Sequence, residues 1–490
     1  MNPFPVFLPG GIAPRLWLAL GAASTALALS GCASLAPDGG DADVQALVAG
    51  NALTGAARAQ RSPDAASESA VDALLSRPLD AEAAVRIALA NSPRMQEAFA
   101  TLQISDAERV EAATLPNPVF AFGRLTQGSS LELDRALRFN VLSLFTLPWQ
   151  ARWAGQRHEI AKMQAAQSVL LLAADTRRAW VRAVAAQQSV AYLREAKDAA
   201  DAGAELARRM VAAGNWSALQ RTREELVLAD AAAQLARAEQ AAVASREQLT
   251  RLLGLSSVRA GYALPDRLPA LPASPPDTRT VETRALNDRL DVRSAQAQSA
   301  ATADSLGLTR ATRIVNAMEI GAVHNTLFGG GGGLDGGRAN ARATERTTER
   351  GFTLDLPIPL FDWGQARNAR AEALYLQSVA RLRDTGVRAA SEAREASAVV
   401  GNAYAVARRY QTEVLPLRRK VNDEMVLRYN GMLSSVWELL AETRATAMAV
   451  VASIDAQRDF WIADTELQLA MTGTGAGTGA ATANIAGATP

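Results

Sequence analysis

The chain of 490 residues repeats itself, and this duplication limits its possible folds more than any other feature. "ALANSPRMQEA" from Ala88 is echoed by "ALNDRLDVRSA" from Ala285, 197 residues later. "SLFTLPWQAR" from Ser143 is echoed by "PIPLFDWGQAR" from Pro357, setting Trp149 against Trp363 at a spacing of 214. "VAAGNWSALQ" from Val211 is echoed by "RYNGMLSSVW" from Arg428, setting Gly214 against Gly431 at 217. Most of the growth in spacing comes from one insertion in the second copy, "FGGGGGLDGGRANARATERTTERG", as a surface loop tolerates.

Each copy reads in the same order. A helical stretch of about thirty residues comes first; Asp80 is placed to cap it, and Ser92-Pro93 offers a second start. Two segments of strand character follow: Asn117–Gln127 and Asp134–Phe145 in the first copy, Arg313–Val323 and Gly351–Ile358 in the second. In the later member of each pair the residues alternate. Leu137, Phe139 and Val141 oppose Arg138 and Asn140, and Phe352, Leu354 and Leu356 oppose Thr353 and Asp355. At roughly 9–11 residues these segments have the length of tilted membrane-crossing strands. The earlier member of each pair alternates poorly, and its faces stay unassigned.

A very long helical stretch comes next, Trp149–Ala213 and Trp363–Asn430. Val169, Leu172, Thr176, Ala179, Ala183, Ala186, Val190 and Leu193 step by three and four, the spacing of a coiled-coil seam. Some 65 residues make a rod of roughly 100 Å. Pro416 predicts a kink in the second rod. Turns at Gly214 and Gly431 reverse the chain into return helices, Ser217–Leu253 and Ser434–Met471, with glycine supplying the positive φ of a tight reversal.

The single cysteine lies in "LALSGCASLAP", directly behind the uncharged run Leu16–Ser30. That run has the length of a secretory signal core, and Leu29-Ser30-Gly31-Cys32 resembles the lipobox of bacterial lipoproteins. The resemblance implies cleavage before Cys32 and a covalent lipid on it; the alternative is an ordinary signal with an incidental cysteine. One thiol allows no disulfide framework and no cysteine zinc site. Residues 33–78 read as an extended tether, Gly261–Asp277 ("GYALPDRLPALPASPPD") as a Pro-rich linker, and the C-terminal stretch as low-complexity. The resulting division is a signal peptide (1–31), a lipidated tether (32–78), repeat 1 (79–255), a linker (256–278), repeat 2 (279–472) and a tail (473–490).

Charge is balanced at 51 basic against 50 acidic residues, so no nucleic-acid footprint is expected. Beyond Cys32 no apolar run approaches the ~18 residues of a spanning helix, so any membrane crossing must be a closed β-barrel. His158 and His324 read as packed or solvated side chains, and no metal site is expected.

A strand pair joined to a long helical hairpin, twice, behind a lipobox resembles the TolC family of outer-membrane efflux factors, and most of all its lipidated members. The segments carrying the match are "RPLDAEAAVRIALANSPRM", "PIPLFDWGQARNARAEA", "RYNGMLSSVWELLAETRA" and, more weakly, "AAGNWSALQRTREEL". The resemblance implies a mainly α fold with a small β part. Three copies would share a 12-stranded transmembrane β-barrel, continued by a 12-helix periplasmic α-barrel. It also implies a passive, non-enzymatic conduit working with a periplasmic adaptor and an inner-membrane pump, and no cofactor beyond the lipid. Loops at Thr126–Glu132 and Leu327–Glu349 would face the outside, and Gly214 and Gly431 would mark the periplasmic tips. Four strands cannot close a barrel alone, which independently requires several copies. Trp149 and Trp363 read either as interfacial aromatics or as core tryptophans of a bundle.

Family tips commonly carry Asp six residues after the turn glycine, and in some members again nine after it in the second copy. Here those positions hold Gln220, Trp437 and Leu440, which with Glu438 are the aperture candidates; Trp437 and Leu440 would form an apolar constriction. Arg428 and Tyr429 are candidates for adaptor contact. A lipid-anchored adaptor would carry one hairpin rather than two, and a poreless coiled-coil protein leaves the alternating strands unexplained. The run "GGGGGLDGG" lacks the Lys-Ser/Thr of a phosphate-binding loop.

Overall fold

Asp80 opens the first repeat as its sequence requires: its carboxylate accepts from the Ala83 amide at 2.6 Å, one of the amides that a helix start leaves open. The computed structural model describes residues 34–59, 65–127, 130–256, 259, 261–312, 318–330, 344–356 and 361–473. Cys32, Pro357–Leu360 of the "PIPLFDWG" segment and the tail beyond residue 473 lie outside them. In chain order the elements are α1 (Asp41–Val48), α2 (Ala65–Leu75), α3 (Ala81–Asn91), α4 (Pro93–Ala112), β1 (Val119–Gln127), β2 (Ser130–Asn140), α5 (Val141–Ala212) and α6 (Ala218–Leu253). The second half follows with α7 (Val281–Asp288), α8 (Leu290–Ala311), β3 (Glu319–Gly330), β4 (Thr344–Asp355), α9 (Gln365–Arg409), a π-turn (Tyr410–Val414), α10 (Leu415–Asn430) and α11 (Val436–Thr472). No helix among the described residues is long and apolar enough to cross a membrane.

The chain forms two compact units. One comprises Met1–Pro37, Ile104–Glu159 and Gln298–Ser378 and contains a four-stranded antiparallel sheet in the order β1-β2-β3-β4. The expected strand Asp134–Phe145 ends early, at Asn140. The Asn140 side chain accepts from the Ser143 amide at 3.2 Å, so "VLSLF" becomes the first turns of α5 and Val141 leaves the strand face. The strands also extend further than expected at their other ends. Thr126–Gln127, Ser130–Glu132, Leu327–Gly330 and Thr344–Glu349 are all paired, leaving only 128–129 and 331–343 between strands, outside the described residues. "TERTTER" has no apolar alternation and therefore hid its strand character.

The segment expected to be an extended tether is instead seated at its described residues. In this unit the Ala36 amide donates to Asp106 at 2.8 Å, and Arg109 holds both Asp106 and the Ser34 carbonyl. Burial raises the Asp106 pKa, but the Ala36 amide, Arg109 and His158 together outweigh it and keep the carboxyl below its ordinary value.

The second unit comprises Asp38–Gln103, Ile160–Ala297 and Val379 onward. Here α1 buries Val44 and Val48, Lys162 pairs with Asp43 at 2.9 Å, and Arg177 donates to the Ala52 and Leu53 carbonyls. The seam read from the sequence is observed: Val169, Leu172, Thr176, Ala179, Ala183 and Leu193 are buried, with Ala186 and Val190 half-buried. The Pro-rich linker is likewise packed. Tyr262, Leu264 and Leu268 are buried, and the Pro269 and Pro272 carbonyls accept from Trp461 and Tyr404 at 3.1 Å. Proline fixes φ and donates no amide to a ladder, so this segment stays out of regular structure and its carbonyls are left to accept from side chains.

The kink expected at Pro416 occurs as the π-turn just before it, where the Leu415 amide reaches back to the Tyr410 carbonyl. In the second repeat Arg289 takes the place that Ser92 holds in the first. Its side chain is 1% exposed, between Asp291 at 2.7 Å and Glu392 at 2.8 Å. Removing a buried cation strands both carboxylates. Arg289→Ala is therefore expected to lower stability by about 3–5 kcal/mol in denaturant melts, whereas Arg279→Ala, whose pair with Asp277 is exposed, should leave the melt unchanged.

Candidate functional site: a two-edged sheet and two hairpin tips

The register gives the sheet two unlike faces. Phe120, Leu137, Ala322 and Phe352 form one row across the four strands, and Phe139, Ile320 and Leu354 form the neighbouring row on the same face. These rings stand open, with Phe120 at 65% and Phe352 at 84% exposure. The opposite face carries Glu132, Asp134, Glu319, Glu349 and Asp355. The β1 residues Val119, Ala121 and Leu125 also lie on that second face, which is why β1 showed no readable alternation. Among the described residues, β1 and β4 each have one unpaired edge.

Trp149, in the first turns of α5, and Trp363, just before α9, are both about half exposed, as are Phe145 and, almost completely, Phe361. Neither tryptophan is a core residue.

At the first tip Gly214 takes φ 77°, and the Asn215 amide bonds the Met210 carbonyl at 2.9 Å. At the second tip Gly431 does not take this role. Its φ is −80°, and Met432 adopts φ 57°, with the Leu433 amide on the Arg428 carbonyl at 2.8 Å. The two turns therefore correspond one residue later than the sequence echo suggested: Gly214 matches Met432, Ser217 matches Ser435 and Gln220 matches Glu438. Counting six from the true turn residue of the second tip lands on the carboxylate Glu438, not on Trp437.

Both tips close with a capping box. Ser217 Oγ accepts from the Gln220 amide while the Gln220 side chain accepts from Ser217, and Ser435 and Glu438 do the same. Trp437 stacks on Trp216, ring centroids 4.1 Å apart and 27° between planes. Leu440 lies against α5 at Gly203, where an added Cβ would sit 3.6 Å from its Cδ1. Trp437 and Leu440 thus join the two hairpins of one chain to each other.

No family model and no curated protein sequence matches the chain. Solved structures do. A membrane protein of Pseudomonas aeruginosa superposes with a TM-score of 0.63 at 18% identity, covering 80% of this chain and 93% of its own. The CmeC outer membrane channel of Campylobacter jejuni gives 0.62 at 15%, covering 86% and 91%. The open-state MtrE outer membrane channel of Neisseria gonorrhoeae gives 0.60 at 18%, covering 80% and 88%. This is the TolC-family fold.

Within the TolC-type fold, the sequence-derived site residues divide into two groups. Trp437 and Leu440 pack where the hairpins meet, whereas Gln220 and Glu438 each cap the return helix of their own tip. Arg428 pairs with Glu424 at 3.0 Å one turn back, and Tyr429 stands 41% exposed beside it. Sequence reasoning missed Trp216, Met432 and Leu433; the last two are 94% and 81% exposed at the turn. The one-residue slip in the echo concealed Met432, and nothing in the sequence pairs Trp216 with Trp437. Two indoles this close should give an exciton couplet in circular dichroism. Trp216→Ala is expected to abolish it and to cost about 0.5–1.5 kcal/mol of contact between the tips; an unchanged spectrum would mean the rings are not stacked in solution.

Proposed function

We propose that the chain is the outer-membrane duct of a tripartite efflux system: a passive, non-enzymatic conduit that an inner-membrane pump and a periplasmic adaptor use to expel small molecules. The observation that carries this reading is the sheet itself, with one open apolar face, one acidic face and two unpaired edges on a chain of TolC-type fold. In lipid an open edge leaves backbone groups bare, and closing it with further copies removes the edges. Three copies give the twelve strands the resemblance implies, with the aromatic rows toward lipid and the acidic face toward the lumen.

The helices support the same assembly. Leu219 and Leu226 on α6, Leu374, Leu376 and Val387 on α9, and Leu417 on α10 are exposed, as faces covered by neighbouring copies would be in an isolated protomer. Trp149, Trp363 and Phe361 suit the rim of the membrane band, where amphipathic aromatics collect. A lipid on Cys32 would enter the outer membrane of a Gram-negative cell only two residues before Ser34, which Arg109 holds. At the tips, the second hairpin cannot lean away from the first without parting Trp437 from Trp216, so that stack joins Leu440 as the constriction's hinge. Arg428, Tyr429, Met432 and Leu433 offer the adaptor an exposed, mixed surface.

The two faces make separable predictions. Phe352→Arg places a charge on the lipid side and is expected to impair insertion, at a depth-dependent cost below the about 2–4 kcal/mol of the bilayer midplane. Thr353→Arg, one residue on and facing the lumen, should still insert and conduct in planar bilayers with altered ion selectivity. Equal insertion of both variants would refute the assigned faces.

A further inference from the structure

The apolar face of the sheet is not apolar throughout. Moving along the strands from the Phe120–Leu137–Ala322–Phe352 row, the next row on that face is Phe122, Arg135, His324 and Arg350. Beyond it come Arg124 on β1 and Arg346 on β4, and Phe328 pairs with Arg346, whose guanidinium lies 5.9 Å from the ring centroid. Every titratable residue on this half of the face is basic, while the acids lie on the opposite face. None of Arg124, Arg135, Arg346 and Arg350 makes an ion pair with a described residue.

A face that meets lipid cannot leave four guanidinium groups without counter-charge. Arginine is the side chain best matched to phosphate, through a planar fork of donors, and its stem can lie along apolar surface while the head reaches a polar boundary. Three of the four arginines also stand on the edge strands. Arg346 and Arg350 lie on β4 and Arg124 on β1, so closing the barrel sets β4 of one copy beside β1 of the next and concentrates like charges at each seam. An anion bridging the seam would remove that repulsion.

We propose that Arg124, Arg346 and Arg350, with Arg135, form a seam-bridging site for the phosphorylated headgroup of a membrane glycolipid, one site at each junction between copies. The site rests on the channel reading above, because it exists only when the edges meet and this face looks outward. Its occupant is a lipid rather than a free anion, since the aromatic rows on the same face supply the acyl-chain surface directly below the arginines.

The test uses the full-length purified trimer in phosphatidylcholine vesicles with or without a bisphosphorylated lipid A, read as the temperature at which the trimer dissociates in detergent gels. The lipid A vesicles are expected to raise that temperature. Arg124→Gln/Arg346→Gln/Arg350→Gln should lose most of the rise, with lipid retention in native mass spectra weakened about tenfold per arginine. The corresponding lysine variant should keep part of it, and Arg279→Gln, in the linker, should keep all of it.

An equal rise in the triple glutamine variant, or no rise in the native protein, would overturn the proposal. So would the same rise with inorganic phosphate alone, which would mean an anion site without lipid. Should the triple variant fail to assemble, Arg124→Gln alone is expected to lose part of the rise, and an undiminished rise there would count against the site. Failure of the native protein to insert or conduct would instead defeat the channel reading.

Discussion

An unpaired strand edge is tolerable in water and untenable in lipid, and the sheet of this protein has two of them. The edges belong to β1 and β4, the first and last strands of a four-stranded meander, so no rearrangement within one chain can bury both. The same sheet leaves aromatic rings open on one face and gathers carboxylates on the other. Closure by further copies, as proposed, would answer all three features together: edges would pair, rings would meet lipid, and acids would line water. The exposed leucines and valines on α6, α9 and α10 make the same demand along the helices.

The helical part is held by different means. Alanines along the α5 seam let helices approach closely, so close packing comes from the absence of bulk rather than from large side chains. Where the two repeats differ, they differ in chemistry as much as in shape. Ser92 and Arg289 occupy matching buried places, one a small hydroxyl, the other a cation held by two carboxylates. The Pro-rich linker serves as a packed strap because its carbonyls, free of sheet partners, accept from Trp461 and Tyr404.

Much of this was legible in the sequence. The Asp80 and Pro93 helix starts, the seam from Val169 to Leu193 and the break near Pro416 depend on local spacing and capping chemistry, which a single chain displays openly. The β2–α5 boundary was misplaced because "VLSLF" is equally apolar as strand or helix, and the Asn140 cap decided between them. "TERTTER" concealed a strand because its pairing partner lies across the long insertion. The tether and linker looked loose because composition cannot show Arg109, Arg177 or Trp461 reaching their carbonyls from far along the chain. The tip was read one residue out of step: Gly431 invites the left-handed turn, yet Met432 takes it, and with it Glu438 becomes the counterpart of Gln220. The Trp216–Trp437 stack joins residues from different repeats and had no sequence signal at all.

The closure of the sheet can be tested directly at its edges. Cysteines placed at Val119, Ala121 or Gly123 on β1 and at Gly351, Thr353 or Asp355 on β4 share one face, and the chain's only native cysteine is Cys32. Mild oxidation of membrane-embedded protein carrying one cysteine on each edge should yield covalent dimers and trimers, with nothing larger, for at least one of these pairs. Monomers from every pair, or a ladder continuing past three, would contradict the account.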